Sequence, residues 1–212
     1  MQLSMPSTEI LPSRLMPDVL ERVQHRSKLM VLDVGMGVHE TVGFLGTRHC
    51  RLHFSAFHDA LYKPPQIVIR QAVGELPDRE AEQRALYEAW LKIFQTMMNY
   101  EAGTKFDLCL FWDFFNYLDD IPLAAFSEAL RPFLRPDTFA HAYLLLKPSP
   151  EVMNREYGIC SPEEISARPG TYQSLEAFPR PQARLANMLK GLAVNHSVLR
   201  RDGLLEVALK SA

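Results

Sequence analysis

Residues 28–46, KLMVLDVGMGVHETVGFLG, limit the possible folds more than any other stretch of this chain. Leu29 to Leu32 form a short apolar run that ends in an acid, Asp33. Gly35 and Gly37 follow with one residue between them, and His39-Glu40-Thr41-Val42 then opens a helix. A buried strand that passes through a glycine turn into a helix is a building unit of open α/β sheets. The amides at such a helix start can cradle a nucleotide-like cofactor. The plainer reading is that the glycines only let the chain turn tightly.

The rest of the chain repeats the same alternation. Leu15, Val19, Leu20 and Val23 have helical spacing, and residues 50–57 alternate Leu52, Phe54 and Ala56 with polar neighbours, as a strand does. A β-branched run at 66–73 predicts another strand. A long helix is predicted over 78–100, with Asp78 as its N-cap and Leu86, Trp90, Ile93, Phe94 and Met97 on one stripe. FDLCLFW at 106–112 is a strongly apolar strand, 121–134 a helix with Pro122 in its first turn, and 139–146 a strand. In the Pro-rich stretch 147–181, a short helix is expected after Ser161-Pro162-Glu163-Glu164; 181–189 is helical. The runs 192–199 and 204–209 flank RRDG and read as a closing hairpin. The expectation is a doubly wound α/β fold. It has a seven-stranded, mostly parallel sheet, an antiparallel last strand and helices on both faces. Residues 1–14 are expected to be loose, and 15–212 to form one α/β domain. Ligands of such sheets gather at the carboxyl ends of the strands, where Asp33-Gly35-Gly37 and Trp112-Asp113 lie.

Composition narrows the partners. The formal net charge is -2 and the basic residues are scattered, so neither nucleic acid nor an anionic membrane is expected as a partner. Cys50, Cys109 and Cys160 are odd in number and far apart, which suits a reducing cytosol better than a disulfide framework. The N-terminus lacks the basic and apolar regions of a signal peptide, and the expected location is cytoplasmic.

Two stretches resemble the class I S-adenosylmethionine-dependent methyltransferases. VLDVGMGVHETVGFL is similar to that family's first motif: strand, acid, then Gly-x-Gly. Phe106-Asp107, Asp113, Asn116-Tyr117 and Leu134-Arg135-Pro136 follow the order of its fourth strand, helix and turn, and SVLRRDGLLEVALKS fits its last two strands. The resemblance implies S-adenosylmethionine as cofactor without a metal, and methyl transfer to a small-molecule or protein acceptor. It places Asp33, Gly35, Met36, Gly37, Ser55, Asp59 and Asp113 at the cofactor, Asp113 as the catalytic acid or base, and Asn116 and Tyr117 at the acceptor.

The chain also departs from that pattern. Where the family closes its second strand with an acid that holds the ribose, this chain reads Ser55-Ala56-Phe57, with Asp59 a few residues late. The third strand's end is Gln71-Ala72-Val73, His39 stands at the third glycine position, and Asp137-Thr138 follows Leu134-Arg135-Pro136 in place of Gly-Gly. Asp113-Phe114-Phe115-Asn116 lacks the two prolines of amino-group methyltransferases, which argues against adenine or Gln amino groups as acceptors. Losing a charge-assisted ribose contact costs about 1.5–3 kcal/mol, which weakens a cofactor without abolishing it.

Each candidate has a plainer role: Asp33 as a cap for loop amides, Asp113 as an N-cap of the turn DFFNYL, Tyr117 as a packed aromatic. His49, His53 and His58 with Asp59 have the residue types for zinc but lie on one strand and its flank, so surface or cross-strand histidines are expected. Two functions remain open: a methyltransferase, or a methyltransferase-fold protein without turnover that acts as a partner-binding or regulatory module. Phe114, Phe115 and Tyr117 are expected to border a pocket or an interface. A homodimer or a protein partner fits either function.

Overall fold

The computed structural model describes residues 8–67, 78–149, 154–170 and 175–212. In chain order its elements are β1 (Glu9–Pro12), α1 (Met16–Val23), β2 (Leu29–Asp33), α2 (His39–Gly46), β3 (Cys50–Phe54), α3 (Phe57–Leu61), α4 (Arg79–Met97) and β4 (Leu108–Trp112). A 3-10 turn (Phe114–Tyr117), α5 (Asp120–Leu130), a second 3-10 turn (Arg131–Phe133), β5 (Phe139–Leu145), β6 (Arg155–Ser161), β7 (Glu164–Pro169), α6 (Gln182–Met188), β8 (Leu192–Leu199) and β9 (Leu204–Ser211) complete it.

Six strands form the main sheet in the order β3-β2-β4-β5-β9-β8. Pairings β2–β3, β2–β4 and β4–β5 are parallel, whereas β9 runs antiparallel to both β5 and β8. Parallel neighbours need a crossover element, and α2, α4 and α5 lie between them in sequence. The closing hairpin and the interior place of β2 agree with the sequence reading. The expected strand at 66–73 runs into 68–77, outside the described residues.

Side-chain alternation divides the core into two halves. Leu32, Cys109 and Phe111 face α4 and α5 with Phe57, Trp90, Phe94 and Phe126, while Val31, Leu108, Leu110 and Trp112 face α1 and a second, smaller sheet. All five residues of β4 are buried, as expected of a strand covered on both faces. Asp78 caps α4 as expected, accepting from the amides of Glu80 and Ala81 at 3.1 and 3.0 Å.

The second sheet corrects two expectations. It has three strands in the order β1-β7-β6, all antiparallel. Glu9–Pro12 is therefore paired strand, not loose chain. The expected helix after Ser161-Pro162 is the turn and second strand of the β6–β7 hairpin. Tyr157 and Ile159 alternate on one arm and Ile165 and Ala167 on the other, all buried, and this period of two outweighs the helix-start signal of Ser161 and Glu164. The small sheet packs against α2. Gly158 has no room for a Cβ, which would meet Val38 at 2.5 Å, and Arg168 bridges Glu40 and Glu156 at 3.1 and 3.0 Å.

A buried polar network fixes the small sheet's exit to the main sheet. Glu206 on β9 accepts from the Ser13 hydroxyl, from the Arg14 and Leu15 amides at 3.1 and 3.2 Å, and pairs with His141 Nε2 at 2.9 Å. Burial opposes its ionisation, but the contacts from His141, Ser13 and Arg14 outweigh burial and hold its pKa at about 2.

Candidate functional site

Asp33 ends β2 almost fully buried. Its Oδ1 accepts from the Gly35 amide at 2.8 Å and from the Trp112 indole Nε1 at 2.7 Å, while Oδ2 has no hydrogen-bond partner among the described residues. Desolvation raises its pKa to about 6 against the pull of those two donors. Asp33 thus caps a loop amide, as its plainer role supposed, and also fixes an aromatic ring.

That ring occupies the glycine cradle. A Cβ on Gly35 would meet Trp112 Cδ1 at 2.8 Å and Nε1 at 2.9 Å, so the indole lies directly on the Gly35 backbone. Gly37 has φ +65°, and a Cβ there would meet the Phe54 ring at 2.9 Å. Both glycines are required, one by close approach and the other by conformation as well. Each approach is made by a side chain of this chain. Trp112 reaches the cradle through an irregularity: the β4–β5 register shifts between Leu110 and Trp112, and Trp112 itself sits at φ +50°. A bulky residue in that region costs about 1–2 kcal/mol, so the surrounding packing has to hold it. Tyr157 does so, stacked on the indole at 5.7 Å and 11°, with His141 edge-on at 6.1 Å.

Next to Trp112, Asp113 is buried and accepts from the Tyr117 hydroxyl at 2.6 Å. Tyr117 in turn accepts from the Asn154 amide at 2.6 Å. Desolvation pushes the Asp113 pKa up to about 7, against its bonds from Tyr117 and the Arg155 amide and the Arg155 charge. Burial likewise raises the Tyr117 hydroxyl, and the Asp113 carboxylate adds to the effect. The Asp113 side chain does not cap the 3-10 turn that it precedes. The pair is a carboxyl of raised pKa joined to a tyrosine, at the edge of a cavity lined also by Gly35, Met36, His58 and Tyr157. Burial lowers the His58 pKa to about 4, so this ring is neutral at pH 7.

The cavity measures about 20 Å³. That is room for one water molecule, whereas small-molecule sites measure roughly 300–1,000 Å³. With the indole on Gly35 and a cavity of this size, the residues present do not fit a nucleoside cofactor.

The other candidates are dispersed. Ser55 is buried and bonds to the Tyr100 hydroxyl at 2.6 Å. Asp59 is exposed in α3 and borders a groove with Ile93 and Met97 away from Asp113. Met36 is exposed at the cavity mouth. The Asn116 side chain clamps the 3-10 turn to β5, donating to the Tyr143 carbonyl at 3.0 Å and accepting from the Leu145 amide at 2.8 Å. Phe114 and Phe115, expected to border a pocket or interface, are buried in the core of the α4–α5 face, whereas Tyr117, also buried, lines the cavity beside Asp113. His53 packs edge-on to Tyr100 and Phe106 at 5.3 and 5.5 Å, a cross-strand aromatic. The sequence reading did not single out Trp112, Phe54, Tyr157 or His58 for the cradle. The alternation around Tyr157 was a usable signal; the turn of Trp112 had none.

No protein-family model and no curated protein sequence matches the chain. Among solved structures it is similar to the pyocyanin biosynthetic protein PhzM (13% identity, TM-score 0.46, covering 93% of this chain and 54% of that one). It is also similar to the mitomycin 7-O-methyltransferase MmcR (12%, 0.46, 93% and 54%). A third is an S-adenosylmethionine-dependent methyltransferase from Clostridium acetobutylicum (13%, 0.48, 93% and 89%). The chain spans about half the length of the first two.

Proposed function

We propose that this chain is a methyltransferase-fold protein whose cofactor cradle is filled from within, and that it serves as a partner-binding or regulatory module rather than by methyl transfer. The observation that carries this reading is the Trp112 indole, seated on Gly35 and bonded to Asp33. It takes the backbone surface and the carboxylate that the motif would offer a cofactor. Two further features support it. Ser55, at the ribose position, is engaged with Tyr100, and the Asp113–Tyr117 pair faces a cavity of only about 20 Å³.

Calorimetric titration with S-adenosylmethionine and S-adenosylhomocysteine tests the proposal. The expected result is no saturable heat up to about 1 mM, the bottom of the affinity scale at about -4 kcal/mol. Binding in the micromolar range would instead restore the methyltransferase reading, with a small-molecule or protein acceptor.

A further inference from the structure

The β1 strand borders a groove of about 460 Å³ that closes against the end of the β8 strand and the turn after it. All four consecutive residues of β1, Glu9–Pro12, line it, together with 198–202. Side chains of a strand alternate between faces, so four residues in a row mean that the strand's edge borders the groove. Among the described residues β1 pairs only with β7 and β8 only with β9, so each is the outer strand of its sheet there. Ile10 is 51% exposed and Leu199 is 62% exposed beside that edge.

The charges in the groove are unevenly satisfied. Its acids all have partners: Glu9 pairs with Arg155 at 3.0 Å, Asp202 with Arg200 at 2.9 Å, and Glu206 is enclosed by Ser13, His141 and two amides. Arg200 also donates to the Pro12 carbonyl at 2.7 Å, which closes one end. Arg14 and Arg201 are exposed, and among the described residues neither guanidinium has a hydrogen-bond or ion-pair partner. The groove therefore offers a strand edge, two apolar side chains and two exposed guanidiniums, Arg14 and Arg201, with the buried Glu206 carboxylate beneath them.

We infer that this groove binds an acidic peptide in extended form, which pairs with the edge of β1 and places its carboxylates against Arg14 and Arg201. Edge-strand addition gives affinity through main-chain hydrogen bonds, and the side-chain surroundings give selectivity. The inference does not rest on the closed cradle and stands if that cradle binds a cofactor.

The probe is an end-blocked, fluorescein-labelled peptide of about nine residues, one strand's length, alternating Glu with Val. Anisotropy should show saturable binding to the wild-type chain. Affinity should fall by about tenfold or more, at least 1.4 kcal/mol, in the Arg14→Gln/Arg201→Gln double variant. These two side chains are exposed, so the variant's melting temperature should match wild type, a check made alongside. A peptide of the same charge with proline at its centre should lose binding, because proline removes a donor and breaks strand pairing. The inference is overturned if no saturation is reached at about 1 mM peptide, if the double variant binds as well as wild type, or if the proline peptide binds equally.

Discussion

Asp33 and Glu206 are both buried acids beside the aromatic group Trp112–Tyr157–His141, yet they end in opposite electrostatic states. Glu206 has four donors around its two oxygens, which hold its pKa at about 2 despite burial. Asp33 has two donors, both on one oxygen, and its pKa rises to about 6. The first arrangement ties β1 and α1 to the main sheet and leaves nothing free for a ligand. The second keeps one oxygen unsatisfied among the described residues at the glycine turn after β2. Glu206 is fully satisfied and holds elements together, whereas Asp33 keeps one buried oxygen without a partner among the described residues while the other fixes an aromatic ring.

The largest expected effect is at Glu206. Glu206→Ala strands Ser13, His141 and two amides, and breaking a buried pair of this kind costs about 3–5 kcal/mol. At about 2–4 °C per kcal/mol for a chain of this size, the melting temperature should drop by roughly 10 °C. A drop as small as that of an ordinary surface change would remove the contrast with Asp33.

Trp112→Ala comes next. It leaves a ring-sized void between Asp33 and Tyr157, a loss of about 3–5 kcal/mol, offset in part because Ala tolerates φ +50° slightly better than Trp. Urea unfolding should show a net loss of about 3 kcal/mol. A near-neutral result would mean that the indole is not packed in the cradle.

Gly37→Ala follows at about 1–2 kcal/mol, because its φ of +65° disfavours any L side chain. The Phe54 ring beside it is partly exposed and can move, so it adds little. Thermal melting would measure this, and an unchanged melting temperature would argue against the left-handed turn.

The smallest effect is in pH dependence, where the two kinds of acid should oppose one another. For Glu206, the folded pKa lies below the unfolded one, so its stabilisation is full above about pH 4.5 and fades as the pH falls toward 2. Asp33 and Asp113 are raised, so the folded state keeps protons that the unfolded chain has released. Their contribution is full below about pH 4 and declines as the pH rises through 6 and 7. Over these three groups stability should therefore peak near pH 4 and fall as the pH rises above it. Urea titrations should show Asp113→Asn flattening the decline between about pH 4 and 7; an equally steep decline in that variant would place the titration elsewhere.

The sheet was legible because its strands follow the simplest rule. β2 and β4 are buried on both faces and read as apolar runs, and the closing hairpin is marked by RRDG between alternating segments. The small sheet was hidden because Ser161-Pro162-Glu163-Glu164 carries a helix-start signature that long-range pairing with β1 overrides. The motif glycines were legible as glycines, but their occupant was not. Trp112 continues an apolar strand in sequence, and nothing local announces the register shift and positive φ that turn its ring onto Gly35. Site legibility ended where a backbone irregularity set side-chain direction.

Trp112 seated on Gly35 is directly observable, because the chain has two tryptophans. In a nitrogen–proton correlation spectrum the two indole N–H groups give two peaks, and Trp112→Phe identifies one of them. The Trp112 proton, bonded to Asp33, should exchange slowly with solvent, and its peak should stay in place when S-adenosylhomocysteine is added to about 1 mM. A fast-exchanging Trp112 peak, or one that moves saturably with the nucleoside, would contradict this seating.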